Sequence, residues 1–195
     1  LEGLVVDAFM LISTFVLTVF ISQRFFGLDT PMSYMIASGS SICGASAVLA
    51  TSPIVKGQMH QAAMAVATVT IFGTIAMFLY PAVYKSGLLP GLDDTTYGIY
   101  TGATVHEVAQ VVAAGFAVSD QAGNTATIAK LTRVIMLAPL LLFLSFYFAK
   151  KHATHGVNIK EIPIPWFVFG FIAMVGVNSL SVFPKQTVNI INQAD

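Results

Sequence analysis

Charge is what this sequence has least of. Of its 195 residues, 9 are Lys or Arg and 9 are Asp or Glu, together 9%, against roughly 25% in an ordinary soluble domain. A soluble fold of this size could not cover itself with so few charged side chains. No basic stripe or arginine-rich run is present to neutralise phosphates, which excludes nucleic-acid binding by bulk charge. Cysteine is almost missing as well. The single Cys43 excludes an internal disulfide framework and a cysteine-based zinc site. What remains is apolar: 56% of residues fall in the AVILMFWYC set, and the mean hydropathy is +0.80. The expected class is an all-α integral membrane protein, a multi-spanning helix bundle.

The chain opens on Leu1-Glu2-Gly3 with no basic stretch before its first apolar run, unlike a signal peptide. Residues 185–195 have the polar texture of the start of another element. The expectation is one transmembrane domain over 1–195, part of a longer protein with further segments before and after it.

A spanning helix needs about 20 mostly apolar residues. Four segments meet that standard: 4–22, 61–84, 128–149 and 163–183. The last opens on Pro-Ile-Pro-Trp, a helix start followed by an interfacial aromatic. Phe146, Tyr147 and Phe148 stand where an aromatic belt would sit. Two further segments, 31–53 and 97–119, are long enough but have the wrong texture. The first has small and hydroxyl residues at its centre and the second has His106-Glu107. Irregular backbone at membrane depth is tolerated only inside protein or along an aqueous cavity. Both segments are therefore expected to be discontinuous helices or re-entrant hairpins facing the interior.

The two segments also resemble each other. Gly39-Ser-Ser-Ile-Cys43-Gly-Ala-Ser aligns with Gly102-Ala-Thr-Val-His106-Glu-Val-Ala, and each is followed by an apolar helix. An internal repeat, usual in secondary transporters, is one explanation; small residues at helix contacts are the other. Lys and Arg in the loops place 150–161 on the cytoplasmic side whether the two segments cross or re-enter. The re-entrant arrangement gathers Asp93, Asp94 and Asp120 outside and brings the two hairpins in from opposite faces. The charge rule alone does not choose between the two.

An ionisable residue inside a membrane costs at least about 2.5–3.5 kcal/mol at the centre, which makes it a functional candidate. Asp7, His106, Glu107, Lys130 and Arg133 qualify. Lys130 and Arg133 lie three apart on one helix face. If their helix starts near residue 128, both cations oppose its dipole and need an acidic partner such as Glu107, or a bound anion. Snorkelling to the interface is the plainer alternative for Lys130. His106 could shuttle protons and Glu107 could pair with Lys130 or Arg133; a structural ion pair locking two helices would use the same residues. The stretch 38–46 offers hydroxyls and a helix start near Gly44, suited to an anion or to close helix packing. Cys43 has no neighbouring base, and no histidine has a metal-site spacing.

These residues carry a resemblance. GSSICGASA (39–47) followed by Pro53, FGTIAMFLYP (72–81), GATVHEVAQVVAAG (102–115) and KLTRV (130–134) are similar to the YeiH-like bacterial inner-membrane proteins, a family commonly labelled sulfate exporters. The similarity runs over about 4–184. It implies a transporter of the cytoplasmic (inner) membrane, of which this chain is the central part. The family's strongest motifs fall on Ser40, Ser41, Cys43, Gly44, His106, Glu107, Gln110, Lys130 and Arg133.

The resulting expectation is a secondary transporter for a small anion, sulfate or a related oxyanion or sulfonate, working by alternating access. Ser40, Ser41, Cys43, Gly44, Ser46, Lys130 and Arg133 would bind substrate, and His106, Glu107 and Gln110 would couple or gate. The alternative is a non-transporting scaffold or sensor whose buried polar residues are structural. No enzymatic activity, cofactor or metal is expected. The expected partners are the anion, a coupling proton or sodium ion and membrane lipid, with a homo-oligomer left open.

Overall fold

The structure, a computed structural model, describes residues 2–88 and 91–152, with Gly170 and Gly176 the described positions beyond them. The chain divides into two compact units, 1–163 and 164–195. All eight helices below belong to the first. In the second, Gly170 and Gly176 are helical, and the expected span 163–183 otherwise lies outside the described residues.

The helices are α1 (Glu2–Arg24), α2 (Thr30–Ser41), α3 (Ala45–Thr51), α4 (Met59–Lys85), α5 (Asp94–Thr104), α6 (Val108–Phe116), α7 (Asp120–Ile135) and α8 (Leu137–His152). No strand occurs among the described residues. Among the described residues, three helical runs are long and apolar enough to cross a membrane: Asp7–Arg24, Met59–Lys85 and Asp120–Lys150. Large apolar side chains stay exposed along them, among them Phe9, Val16, Phe72, Phe78, Phe143 and Phe146, a surface suited to hydrocarbon rather than water.

The helix starts are written locally. Asp29 caps α2 by accepting from Met32 N at 3.2 Å, with Pro31 in the first turn. Asp93 caps α5 through Thr96 N at 2.9 Å, and Ser119 caps α7 through Ala122 N at 3.1 Å. Each cap satisfies a backbone donor that the first helical turn leaves without a partner.

The segment over α2 and α3 is a re-entrant hairpin. A straight helix would separate residues 39 and 48 by about 13 Å. Instead, a Cβ on Gly39 would meet Val48 Cγ2 at 2.7 Å. The chain reverses at 42–44, where Gly44 takes φ 69°, and α3 runs back along α2. Gly57, beyond α3, lies against Met35, and Gln61 near the start of α4 donates to Asp29. The segment therefore leaves at the end of the bundle where it entered.

α5 and α6 form the second hairpin. Tyr97 Oη donates to Ala114 O at 3.1 Å, although a straight helix would hold those residues about 25 Å apart. Ser119 Oγ donates to Asp94 at 2.6 Å, so this base also closes on itself. The hairpin packs on α7 through small residues: a Cβ on Gly102 would meet Ala129 Cβ at 2.8 Å. Such close backbone approach is how membrane helices gain contact where apolar burial gives no preference.

α4 fixes the two hairpins relative to each other. Its first turn contacts the base of the first hairpin through Gln61 and Asp29. Its last turn contacts the base of the second, where Tyr84 Oη donates to Asp94 at 2.6 Å. The hairpins thus enter from opposite ends of a spanning helix, and both tips reach its middle: Gly39 packs on Val69 and Glu107 bonds Thr70. This is the opposed arrangement that brings Asp93, Asp94 and Asp120 to one end. The unit of hairpin followed by span occurs twice, once from each side.

The run after the second hairpin begins at Asp120 rather than near Ile128. The polar stretch 120–127 is helical because Ser119 caps it and its small residues pack against α5 and α6. The run is interrupted at Met136. Pro139 has no N–H for the Ile135 carbonyl and its ring crowds that carbonyl, which forces the break.

Candidate functional site

The two hairpin tips meet on one side chain. Lys130 Nζ donates to Ile42 O of the first hairpin at 2.5 Å and to Val105 O of the second at 2.7 Å. Both acceptors are cap residues at helix C-terminal ends, where carbonyls lack intrahelical partners and carry the negative end of the helix dipole. One turn further along α7, Arg133 donates from Nη1 to Ala103 O, also at the end of α5. Lys130 is 1% exposed and Arg133 2%.

This reverses the dipole expectation. Because α7 starts at Asp120, Lys130 and Arg133 stand in its final turns, where cations are favoured rather than opposed. The C-terminal ends of α2, α5 and α7 converge, and the two cations supply the positive charge those ends attract. Among the described residues neither cation forms an ion pair with a carboxylate. Asp7 on α1 lies within Coulombic reach of both. Arg133 Nε is buried and has no hydrogen-bond partner.

Glu107 stands on the other side of the meeting point. It caps α6, and its backbone N–H donates to Gln110 Oε1 at 3.3 Å in a reciprocal capping box. Its Oε1 accepts from Thr70 Oγ1 on α4 at 2.9 Å. Gln110 Nε2 donates to Thr70 O at 3.3 Å and Thr74 Oγ1 at 3.2 Å. Gly44 packs directly against Glu107: a Cβ there would sit 2.6 Å from Glu107 Cγ. The tips can approach this closely because Gly44 has no side chain and its positive φ suits glycine. His106 lies beside Glu107, and its Nδ1 is buried without a partner.

The structure therefore brings together Cys43, Gly44, His106, Glu107, Gln110, Lys130 and Arg133. The serines of the first hairpin behave differently. Ser41 Oγ donates to Ser38 O at 3.4 Å and Ser46 Oγ to Cys43 O at 3.2 Å, so both hydroxyls turn onto their own hairpin backbone. Cys43 Sγ, buried, lies 3.1 Å from Ser46 Oγ, and Ser40 is half-buried. α3, whose start carried the expected anion-binding amides, is 7 residues long. Its Gly44 N–H is already bonded to Gly39 O at 2.9 Å.

Thr70 and Thr74 were not among the residues singled out from sequence. Segment 61–84 looks uniformly apolar because a threonine in a helix can hide its hydroxyl on the preceding turn, as Thr74 does on Thr70 O at 2.8 Å. The available signal was their spacing of four, which puts both hydroxyls on one face of a span.

Apolar spans, two opposed re-entrant hairpins and cations buried where the tips meet define a polytopic, all-α integral membrane protein. The whole chain, residues 1–195, matches the family described as conserved hypothetical protein 698, and it belongs to that family. Among curated relatives, the UPF0324 inner membrane protein YeiH of Salmonella typhi is 50% identical over 195 residues, covering 100% of this chain and 56% of its own length. YeiH of Escherichia coli K12 is 47% identical with the same coverage. A UPF0324 membrane protein of Pseudomonas aeruginosa is 49% identical over 201 residues, again 100% of this chain and 56% of the relative. The chain thus spans little more than half the length of these relatives. No solved structure matches it. The protein is a bacterial inner membrane protein.

Proposed function

We propose that the protein is a secondary transporter for a small oxyanion, sulfate or a sulfonate, with its site where the two hairpin tips meet. The observation that carries this reading is the pair Lys130 and Arg133, buried at mid-depth between opposed hairpins without a carboxylate ion pair among the described residues. Irregular backbone and intramembrane charge at the interface of repeats from opposite faces is the arrangement on which alternating access is built. The unpartnered Nε of Arg133 is a donor for an oxyanion, two of whose oxygens the planar guanidinium can grip with two N–H groups. Ser41 and Ser46 contribute little, since both hydroxyls already donate to backbone.

The second reading, a scaffold locked by its buried charges, is favoured by one observation: both acceptors of Lys130 are backbone carbonyls. The two readings part in a thermal-shift panel on the complete protein in detergent. A ligand at 100 times its dissociation constant stabilises by about 2.7 kcal/mol. A carrier is stabilised by sulfate or a sulfonate, and Arg133→Gln abolishes that shift. If no anion raises the melting temperature while Arg133→Gln only lowers it, the lock reading replaces the carrier.

A further inference from the structure

We propose that Glu107 exchanges its charge with the substrate: in the empty site its carboxylate serves as counter-charge to the cations, and a bound oxyanion replaces it while Glu107 takes one proton from solution. The proposal rests on the anion-carrier reading above and adds the coupling ion and the group that carries it.

The geometry comes from three elements. Glu107 stands at the tip of the second hairpin with its Cγ packed against Gly44 of the first, so an anion that parts the tips meets this carboxylate. Lys130, which ties the tips together, is within Coulombic reach of Glu107 without an ion pair to it. The two cations share the region with two carboxylates, Asp7 and Glu107. An arriving anion adds negative charge beside a carboxylate that no ion pair stabilises, and in a medium of low dielectric that repulsion is large. Protonation of the carboxylate removes it, by forming an O–H bond with a solvent proton. A dianion bound with one proton then changes the charge of the site by one negative unit instead of two.

Thr70 makes the neutral acid tenable. Its hydroxyl donates to Glu107 Oε1 at 2.9 Å, and the same hydroxyl can rotate to accept the new O–H. His106 lacks that provision. An imidazolium donates from both ring nitrogens, and His106 Nδ1 is buried with no acceptor. The titratable or charged groups facing Glu107 are His106 on its own hairpin, Cys43 on the first hairpin and Lys130 on α7, while α4 presents the uncharged Thr70. Arg133 reaches His106, and Asp7 of α1 faces the cations.

The test is proton uptake on binding. The complete protein in detergent, in weakly buffered solution with a pH indicator, receives sodium sulfate at the same pH. Wild type should take up about one proton per sulfate bound and Glu107→Gln none, while Lys85→Met, at an exposed position away from the tips, should match wild type. Sulfate binding without proton uptake, or uptake that survives Glu107→Gln, overturns the proposal while the carrier stands. Should Glu107→Gln fail to fold, the wild-type sulfate affinity decides. It should fall as pH rises, by up to about tenfold per pH unit where one proton accompanies each sulfate, and a flat profile overturns the proposal. No sulfate or sulfonate binding at any pH overturns the carrier reading and this proposal with it.

Discussion

Replacing Lys130 with methionine keeps the length and apolar stem of the side chain and removes the group that donates to both hairpin tips. The carbonyls of Ile42 and Val105, bonded at 2.5 and 2.7 Å, lose that donor in a part of the fold with 1% exposure at Lys130 itself. Each buried acceptor left without a donor costs about 1–3 kcal/mol. Two give about 2–6 kcal/mol, with the lower half favoured because the buried ammonium's own desolvation cost disappears as well. For a chain of this size about 1 kcal/mol moves the melting temperature by roughly 2–4 °C, so Lys130→Met should melt at least about 4 °C lower in detergent. Lys85→Met, at an exposed position, is the control and should stay within about 0.5 kcal/mol. A Lys130→Met protein as stable as wild type would refute the claim that this ammonium joins the tips.

Three further outcomes follow from the same geometry. Gly44→Ala forces a side chain into a position with φ 69° and a Cβ 2.6 Å from Glu107 Cγ. It should destabilise by about 1–3 kcal/mol, more than Gly27→Ala, where φ is 63° but the space is open; chemical denaturation of the pair checks the order. Hydroxyls of Ser119 and Tyr84 hold the Asp94 carboxyl below the usual range, and the Thr96 side chain and amide do the same for Asp93. Both groups bind protons more weakly folded than unfolded. Their stabilisation is present above about pH 4 and is lost as pH falls through the folded values, so the acid limb of melting temperature against pH should flatten in Asp94→Asn. In a Cys43→Ala background, single cysteines at Phe26 and Met59 should react with an impermeant maleimide from one side of the membrane, and those at Lys85 and Asp120 from the other. Labelling of Phe26 and Met59 from opposite sides would mean that the first hairpin crosses.

Several features were readable because membrane burial makes few residue types tolerable. The small residues at 38–46 and the His106-Glu107 pair marked both hairpins, and the ionisable residues marked the meeting point. The orientation of the hairpins was not readable from charge. It depends on Gln61 reaching Asp29 and on Ser119 and Tyr84 reaching Asp94, contacts that polar residues at span ends do not announce. The start of α7 was hidden because 120–127 is polar and becomes helical through close packing on the second hairpin. The partners of Lys130 were hidden for a different reason. They are backbone carbonyls, which every residue has, and only the two helix breaks leave these free.

The most direct test of the functional claim is uptake of radiolabelled sulfate into proteoliposomes holding the complete protein, with and without an imposed pH gradient. The account predicts gradient-dependent uptake, competed by sulfonates and abolished by Arg133→Gln. Uptake indifferent to both the gradient and Arg133, or no uptake of any oxyanion from the panel under either condition, would contradict it.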